Sequence, residues 1–236
     1  MSNNEPSGRD LPAGAVFHRC ALQVNPHHYG ATYRGQPVAG DAATYARSIV
    51  DAAVSHGITV LAIADHNDVS GVPAFRAAAQ DRGVYIFPGF ELSSSEGVHV
   101  LCIYPTESSI DQLGRYLGAF GIRNTDSSSD LSTKTFVDIL AEVRDQGGVT
   151  VAAHATNDGG LFKNLSGQSR IRAWQNENLL AIQIPGAVED LTQDCKQIIQ
   201  NQNPDYRRDH PAEERLAVAV VNLSLIHISE PTRLRR

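Results

Sequence analysis

The chain has little of several things that would commit it to a particular class. Only three cysteines occur in 236 residues, Cys20, Cys102 and Cys195, far apart and without a C-x-x-C pair. An odd, scattered set fits a chain kept reduced in the cytoplasm better than a disulfide scaffold. Positive charge is short: 20 Lys and Arg stand against 26 Asp and Glu, for a formal charge of −6. No broad basic face is therefore available to hold nucleic acid by electrostatics alone, and any such contact has to be local. A run of about 18 apolar residues is missing, and residues 1–15 are polar and rich in Ser, Asn, Pro and Gly, without the apolar segment of a signal peptide. The expectation is a disordered stretch over 1–15 followed by a soluble domain with no membrane contact. What is plentiful is core: 42% of residues are hydrophobic, enough for one domain of the size usual for α/β barrels.

Strand and helix signals alternate along the chain. "FHRCALQVNP" reads as a strand ending in turn chemistry at Asn25-Pro26, followed by a Gly- and Pro-rich loop. Asp41 is placed to cap a helix in "AATYARSIVDAAVSHG", with Gly57 as its stop. "ITVLAIAD" is apolar throughout, the pattern of a strand covered on both faces. A short helix, "VPAFRAAAQDRG", leads to the strand "VYIFPGFEL", and "SSSEG" joins that strand to "VHVLCIYP" by a gap suited to a hairpin. Helices are expected in "SIDQLGRYLGAF" and "STKTFVDILAEVRDQGG". The strand "VTVAAHAT", a glycine-bearing loop, a helix over 170–176, the strand "LLAIQIPG", the helix "DLTQDCKQIIQ" and the strand "RLAVAVVN" complete the pattern. Such alternation predicts an α/β sheet, mainly parallel.

Several strands end in ligand-type side chains. "LAIAD" runs into Asp65 and His66, "YIFPGFE" into Glu91, and "VTVAAH" into His154. Catalytic groups of α/β barrels sit at the C-terminal ends of strands, where the loops converge. His99 begins its strand instead, but a hairpin between Glu91 and His99 brings it to the same rim. Imidazoles with a carboxylate suit Zn, Mn or Fe, and a bridging Glu can hold two ions about 3.5–4 Å apart. Such ions generate hydroxide near neutral pH and clamp a phosphoryl group. His18, His56 and His210 carry no such context and read as solvated.

These residues also carry a family likeness. "IADHND" resembles the I-T-D-H-N/D motif of the PHP (polymerase and histidinol phosphatase) superfamily, "PGFELSSSEGVHVLCIY" its G-x-E…H segment, and "VAAHAT" its A-H-P motif. The likeness spans 16–222. It implies a distorted (β/α)7 barrel with metal ions at its C-terminal rim, and hydrolysis of phosphate esters. By motif match, His66, Glu91, His99 and His154 are implied as metal ligands, two divalent ions being expected, with Glu91 between them. Asp65 and His66 are implied to serve a further metal or the leaving group.

The chain departs from the family at its first strand, where two histidines are replaced by Gln23 and Asn25. Neutral amides are poor ligands for Zn or Mn, so one metal position is expected to be weakened. "FHRCALQVNP" and "TNDGGLFKNLSGQSRIRAW" resemble the PHP subgroup at the N-terminus of larger AAA- or SMC-like ATPases. That resemblance implies a C-terminal ATPase partner in the same protein, acting on nucleic acid in phage defence. The loop after His154 brings Lys163, Arg170 and Arg172 toward the rim as a candidate phosphate cradle. After "RLAVAVVN" the family has a D-x-H motif, whereas this chain reads "LSLIHISEPTRLRR". That string matches a translated sequencing adaptor, so 223–236 are expected to be a non-native tail and the barrel incomplete at its C-terminus. The expected function is metal-dependent hydrolysis of a nucleotide or nucleic-acid phosphodiester. The alternatives are a catalytically degenerate barrel that regulates the ATPase, and a metal-dependent amidohydrolase.

Overall fold

Helix-period apolar residues, capped by short polar side chains, and all-apolar strand runs generate the elements almost where their spacing places them. The computed structural model describes residues 18–27, 40–123, 129–208 and 218–222. The expectations placed on 1–15, His210 and 223–236 lie outside these. In chain order the elements are β1 (Arg19–Val24), α1 (Ala42–Ser55), β2 (Ile58–His66), α2 (Val72–Ala79), β3 (Tyr85–Ser93) and β4 (His99–Ile103). They continue with α3 (Ile110–Ala119), α4 (Phe136–Asp145), β5 (Val149–Ala152), α5 (Leu161–Asn164), α6 (Gly167–Gln175), β6 (Ala181–Ile184), α7 (Gln193–Ile199) and β7 (Ala219–Asn222).

Asp41 caps α1 as its position predicts, its Oδ1 accepting the Thr44 N–H at 2.8 Å. Ser109, Thr135 and Thr192 cap α3, α4 and α7 in the same manner. Each such cap contributes about 1 kcal/mol, because it satisfies an N–H that the first helical turn leaves without a partner. The α1 helix buries Ala46, Ile49, Val50 and Ala53, and α4 buries Phe136, Ile139, Leu140 and Val143. Both sets follow the i, i+3, i+4, i+7 spacing of a single apolar stripe.

The strands form one seven-stranded sheet in sequence order. β1, β2 and β3 are parallel, β4 runs antiparallel to both β3 and β5, and β5, β6 and β7 are parallel again. The reversal comes from the expected hairpin, in which Ser94 N–H bonds to Val98 O and Gly97 N–H to Ser94 O, each at 2.8 Å. Gly97 has φ +79°, a value open to glycine but costly for a side chain.

Alternation along each strand sorts residues between two faces. One face packs on the helices in two layers. Val24, Leu61, Ile63 and Phe75 lie in the first, and Phe90, Leu92, Phe120, Phe136 and Trp174 in the second. The other face collects Leu22, Ala62, Ala64, Phe87, Leu101, Ile103, Val151, Ala153, Ala181 and Val221, which come from all seven strands or the residue just beyond them. Residues from first and last strands share one cluster only if the sheet curls on itself. The sheet is thus a half-barrel with an apolar floor; its terminal strands, β1 and β7, are not hydrogen-bonded to each other.

Candidate metal centre

Above that floor the inner-face residues become polar. His66 stands in register with Glu91 between β2 and β3, and Ser93 with His99 across the hairpin. Glu91, His66 and His99 share the parity of Phe87, Ala64 and Leu101, so all enter the barrel rather than the helical layers. His154 follows just beyond β5. Three imidazoles converge on one atom, Glu91 Oε1: His99 Nδ1 at 3.0 Å, His154 Nε2 at 3.4 Å and His66 Nε2 at 3.6 Å. Ligand atoms of His66, Glu91 and His99 all lie within 4.8 Å of one another.

The second oxygen of Glu91 is held differently. Gln23 Nε2 donates to Oε2 at 2.7 Å. The β1–β2 register shifts between Ala21 and Val24, and this bulge lets consecutive residues, Leu22 and Gln23, both serve the interior. Burial of the Glu91 carboxylate, which is complete, pushes its pKa up. The His66 charge, the hydrogen bonds from His154 and His99 and the His99 charge more than offset this, leaving it well below the usual carboxylate range.

Two residues at the rim adopt the left-handed region that side chains usually avoid, Asn67 at φ +57° and His154 at φ +29°. Each is tied by its backbone: Asn67 N–H to Glu91 O at 3.0 Å, and His154 N–H to Gln183 Oε1 at 3.0 Å. Strain of this kind persists only where the surroundings over-determine it. The loop after His154 also covers the site. Gly159 accepts the His99 N–H at 2.7 Å, and a Cβ on Gly159 would stand 2.8 Å from His99 Nε2.

Gly159→Ala is therefore expected to displace the His99 ring and weaken divalent-metal affinity by about 10–100-fold, the scale of losing a ligand's supporting contact. Gly57→Ala is the control, since Gly57 has φ +66° with nothing within 4 Å of its Cβ. Titration calorimetry should show the loss for Gly159→Ala alone.

The remaining expected residues are placed less centrally. Asp65 shares the parity of Leu61 and Ile63, which face the helices, so its side chain leaves the opposite face of β2 from His66. Its Oδ1 accepts the His66 backbone N–H at 2.8 Å. Burial pushes Asp65 up to about 7, the His66 N–H pulling the other way and the charges of Asp68 and Glu91 adding to the rise. Asp68 closes the turn toward α2 by accepting from the N–H groups of Val69 and Ser70. Lys163 is exposed and pairs with Asp158 at 3.6 Å. Arg172 is exposed on α6.

The guanidinium of Arg170 is engaged in the fold. Nε donates to the Tyr206 hydroxyl at 2.7 Å, and the group sits 5.5 Å from that ring's centre, joining α6 to the 204–206 turn. Gln183 on β6 was missed by the sequence reading. Its signal was one amide in an apolar strand, "AIQI", the same signal as Gln23 in "CALQV".

Three imidazoles around a buried carboxylate fit Zn, Mn or Fe. Asn25 Oδ1, just beyond β1, is also buried without a hydrogen-bond partner among the described residues, and a polar atom of this sort is costly unless something completes it.

No family model matches the chain. Over 79 residues, 34% of the chain, it is 32% identical to an error-prone DNA polymerase from Symbiobacterium thermophilum, of which the match covers only 7%. In structure it is similar to the lesion-specific endonuclease PfuEndoQ from Pyrococcus furiosus, with a TM-score of 0.51 and 15% identity over 77% of this chain and 44% of that one. It is also similar to endonuclease Q bound to a 27-mer duplex with an abasic lesion, with a TM-score of 0.50 and 15% identity over 70% of this chain and 42% of that one. The chain thus spans less than half of these relatives. Their likeness shows the fold, and the α/β barrel architecture of PHP type expected from the motifs is the one observed. Among the described residues no helix is long and apolar enough to cross a membrane.

Proposed function

We propose that this chain is a metal-dependent phosphoesterase domain acting on a nucleotide or nucleic-acid phosphodiester. The observation that carries this reading is the convergence of His66, His99 and His154 on one oxygen of Glu91 at the rim of the half-barrel. When bound there, a divalent ion supplies Lewis acidity and acidifies water near neutral pH. The protein's own part is to hold the donors in place: Glu91 offsets the cationic charge, and Gln23 orients the carboxylate. We assign phosphate contact to the exposed side chains of Lys163 and Arg172, while Arg170 Nε already donates to the Tyr206 hydroxyl. The endonuclease likeness and the matched polymerase segment favour a nucleic-acid substrate, met locally because the chain is acidic. The motif resemblance adds the context of an N-terminal module of a larger ATPase in phage defence.

One observation favours a second reading, a degenerate barrel that binds and regulates. An amide, Gln23, occupies the carboxylate oxygen that a second ion would use. The readings separate in one assay of the full chain with Mn²⁺ or Zn²⁺, an aryl phosphodiester and a lesion-bearing DNA duplex. The catalytic reading expects metal-dependent turnover that His154→Ala abolishes. A chain that binds no metal and cleaves neither substrate is the degenerate barrel.

A further inference from the structure

The inner face carries a chain of hydrogen bonds that neither motif nor spacing announced. His154 N–H donates to Gln183 Oε1 at 3.0 Å, Gln183 Nε2 to Gln23 Oε1 at 3.0 Å, and Gln23 Nε2 to Glu91 Oε2 at 2.7 Å. Both amides are buried, at 6% and 2% exposure, so each unmade bond there is costly. Their orientation follows from the ends of the chain. A backbone N–H can only donate and a carboxylate can only accept, so each amide must turn its oxygen toward His154 and its nitrogen toward Glu91. The relay has one polarity.

We infer that Gln23 and Gln183 act as a directional relay that fixes Glu91 as a one-oxygen donor, so that the pocket binds one divalent ion rather than two. The inference rests on the metal-dependent reading above and deepens it, naming Gln183 as a positioning residue. All three imidazoles address Oε1, while Oε2 faces amide hydrogens. An ion on Oε2 would have to displace Gln23 Nε2, whose hydrogens repel a cation. Gln23 Oε1 already accepts from Gln183, so it presents no free lone pair. Asn25 Oδ1, just beyond β1, is the next side-chain oxygen along the chain, and a lone neutral amide is a weak donor to Zn²⁺. The other end of the relay fixes His154, whose backbone sits at φ +29°. The neighbouring Ala155 N–H is held as well, by Gln183 O at 2.7 Å.

The test is a Zn²⁺ titration of the full chain, stripped of metal, with Co²⁺ as a spectroscopic stand-in. Wild type is expected to bind one equivalent. Gln23→His, which frees Oε2 and adds an imidazole on β1, is expected to bind a second. Gln183→Leu keeps the size but can neither accept from His154 nor donate to Gln23. It should bind one equivalent about 10–100-fold more weakly, with a changed Co²⁺ spectrum as His154 relaxes. If Gln183→Leu fails to fold by circular dichroism, Gln23→Leu breaks the same relay from its other end and should show the same loss. Two equivalents in wild type, one equivalent in Gln23→His, or unchanged Zn²⁺ affinity in the folded leucine variants would each overturn the relay while leaving a metal-dependent enzyme standing. No bound Zn²⁺ at all would overturn the metal reading together with it.

Discussion

Glu91→Gln is expected to lower phosphodiester hydrolysis by about 10³-fold or more, since the metal's stabilisation of the transition state is worth several kcal/mol and each ~1.4 kcal/mol is tenfold. Glu91 is the carboxylate on which all three imidazoles converge. The amide removes the negative charge that offsets a bound cation while keeping the shape of the side chain. Its oxygen has to face Gln23 Nε2, which needs an acceptor, so its NH₂ turns to His99 Nδ1 at 3.0 Å, which accepts only when that ring nitrogen carries no proton. Since Glu91 is fully buried, the variant should also lose about 1–3 kcal/mol of stability, the usual cost of an unsatisfied buried polar group. Activity must therefore be compared well below the melting temperature, with circular dichroism to show the folded fraction. Retention of metal-dependent turnover within tenfold of wild type would remove Glu91 from the reaction.

Metal removal is the second large effect. Chelation should abolish hydrolysis, and readdition of Mn²⁺ or Zn²⁺ should restore it. An ion that binds only the folded state stabilises it by about 2.7 kcal/mol at a hundredfold excess over Kd. For a domain of this size that is a rise in melting temperature of roughly 5–10 °C. The effect should shrink as pH falls, because ligand imidazoles must be neutral and protons compete with the ion. A thermal melt with and without Zn²⁺ at neutral and acidic pH checks both points. Identical melts at neutral pH would show that the cluster of His66, Glu91, His99 and His154 holds no ion.

Much of the architecture was legible because it is written in short windows. The caps at Asp41 and Thr135, the Ser94–Val98 hairpin and the all-apolar strands each depend on residues within about a turn or a strand of one another. The same holds for placing His66, Glu91 and His99 at one rim, since strand parity and one hairpin suffice. Parity also separates Asp65 from His66: adjacent residues on a regular strand alternate faces, so their side chains diverge although "ADH" sets them side by side.

By itself, then, the sequence determined which segments become strands and helices, which strand ends carry donors, and that imidazoles and a carboxylate meet. Only the tertiary structure decided how those donors are held. The β1 bulge that brings Gln23 beside Leu22 on the inner face is a pairing irregularity with β2, and no local pattern encodes it. The engagement of Arg170 by Tyr206 bridges 36 positions, and the Gln23–Gln183 bond bridges 160. An amide in an apolar strand looks the same whether it faces a metal, water or another amide. Its meaning comes from which strand the curl of the sheet sets across from it, and that curl is a property of all seven strands packing on one another together.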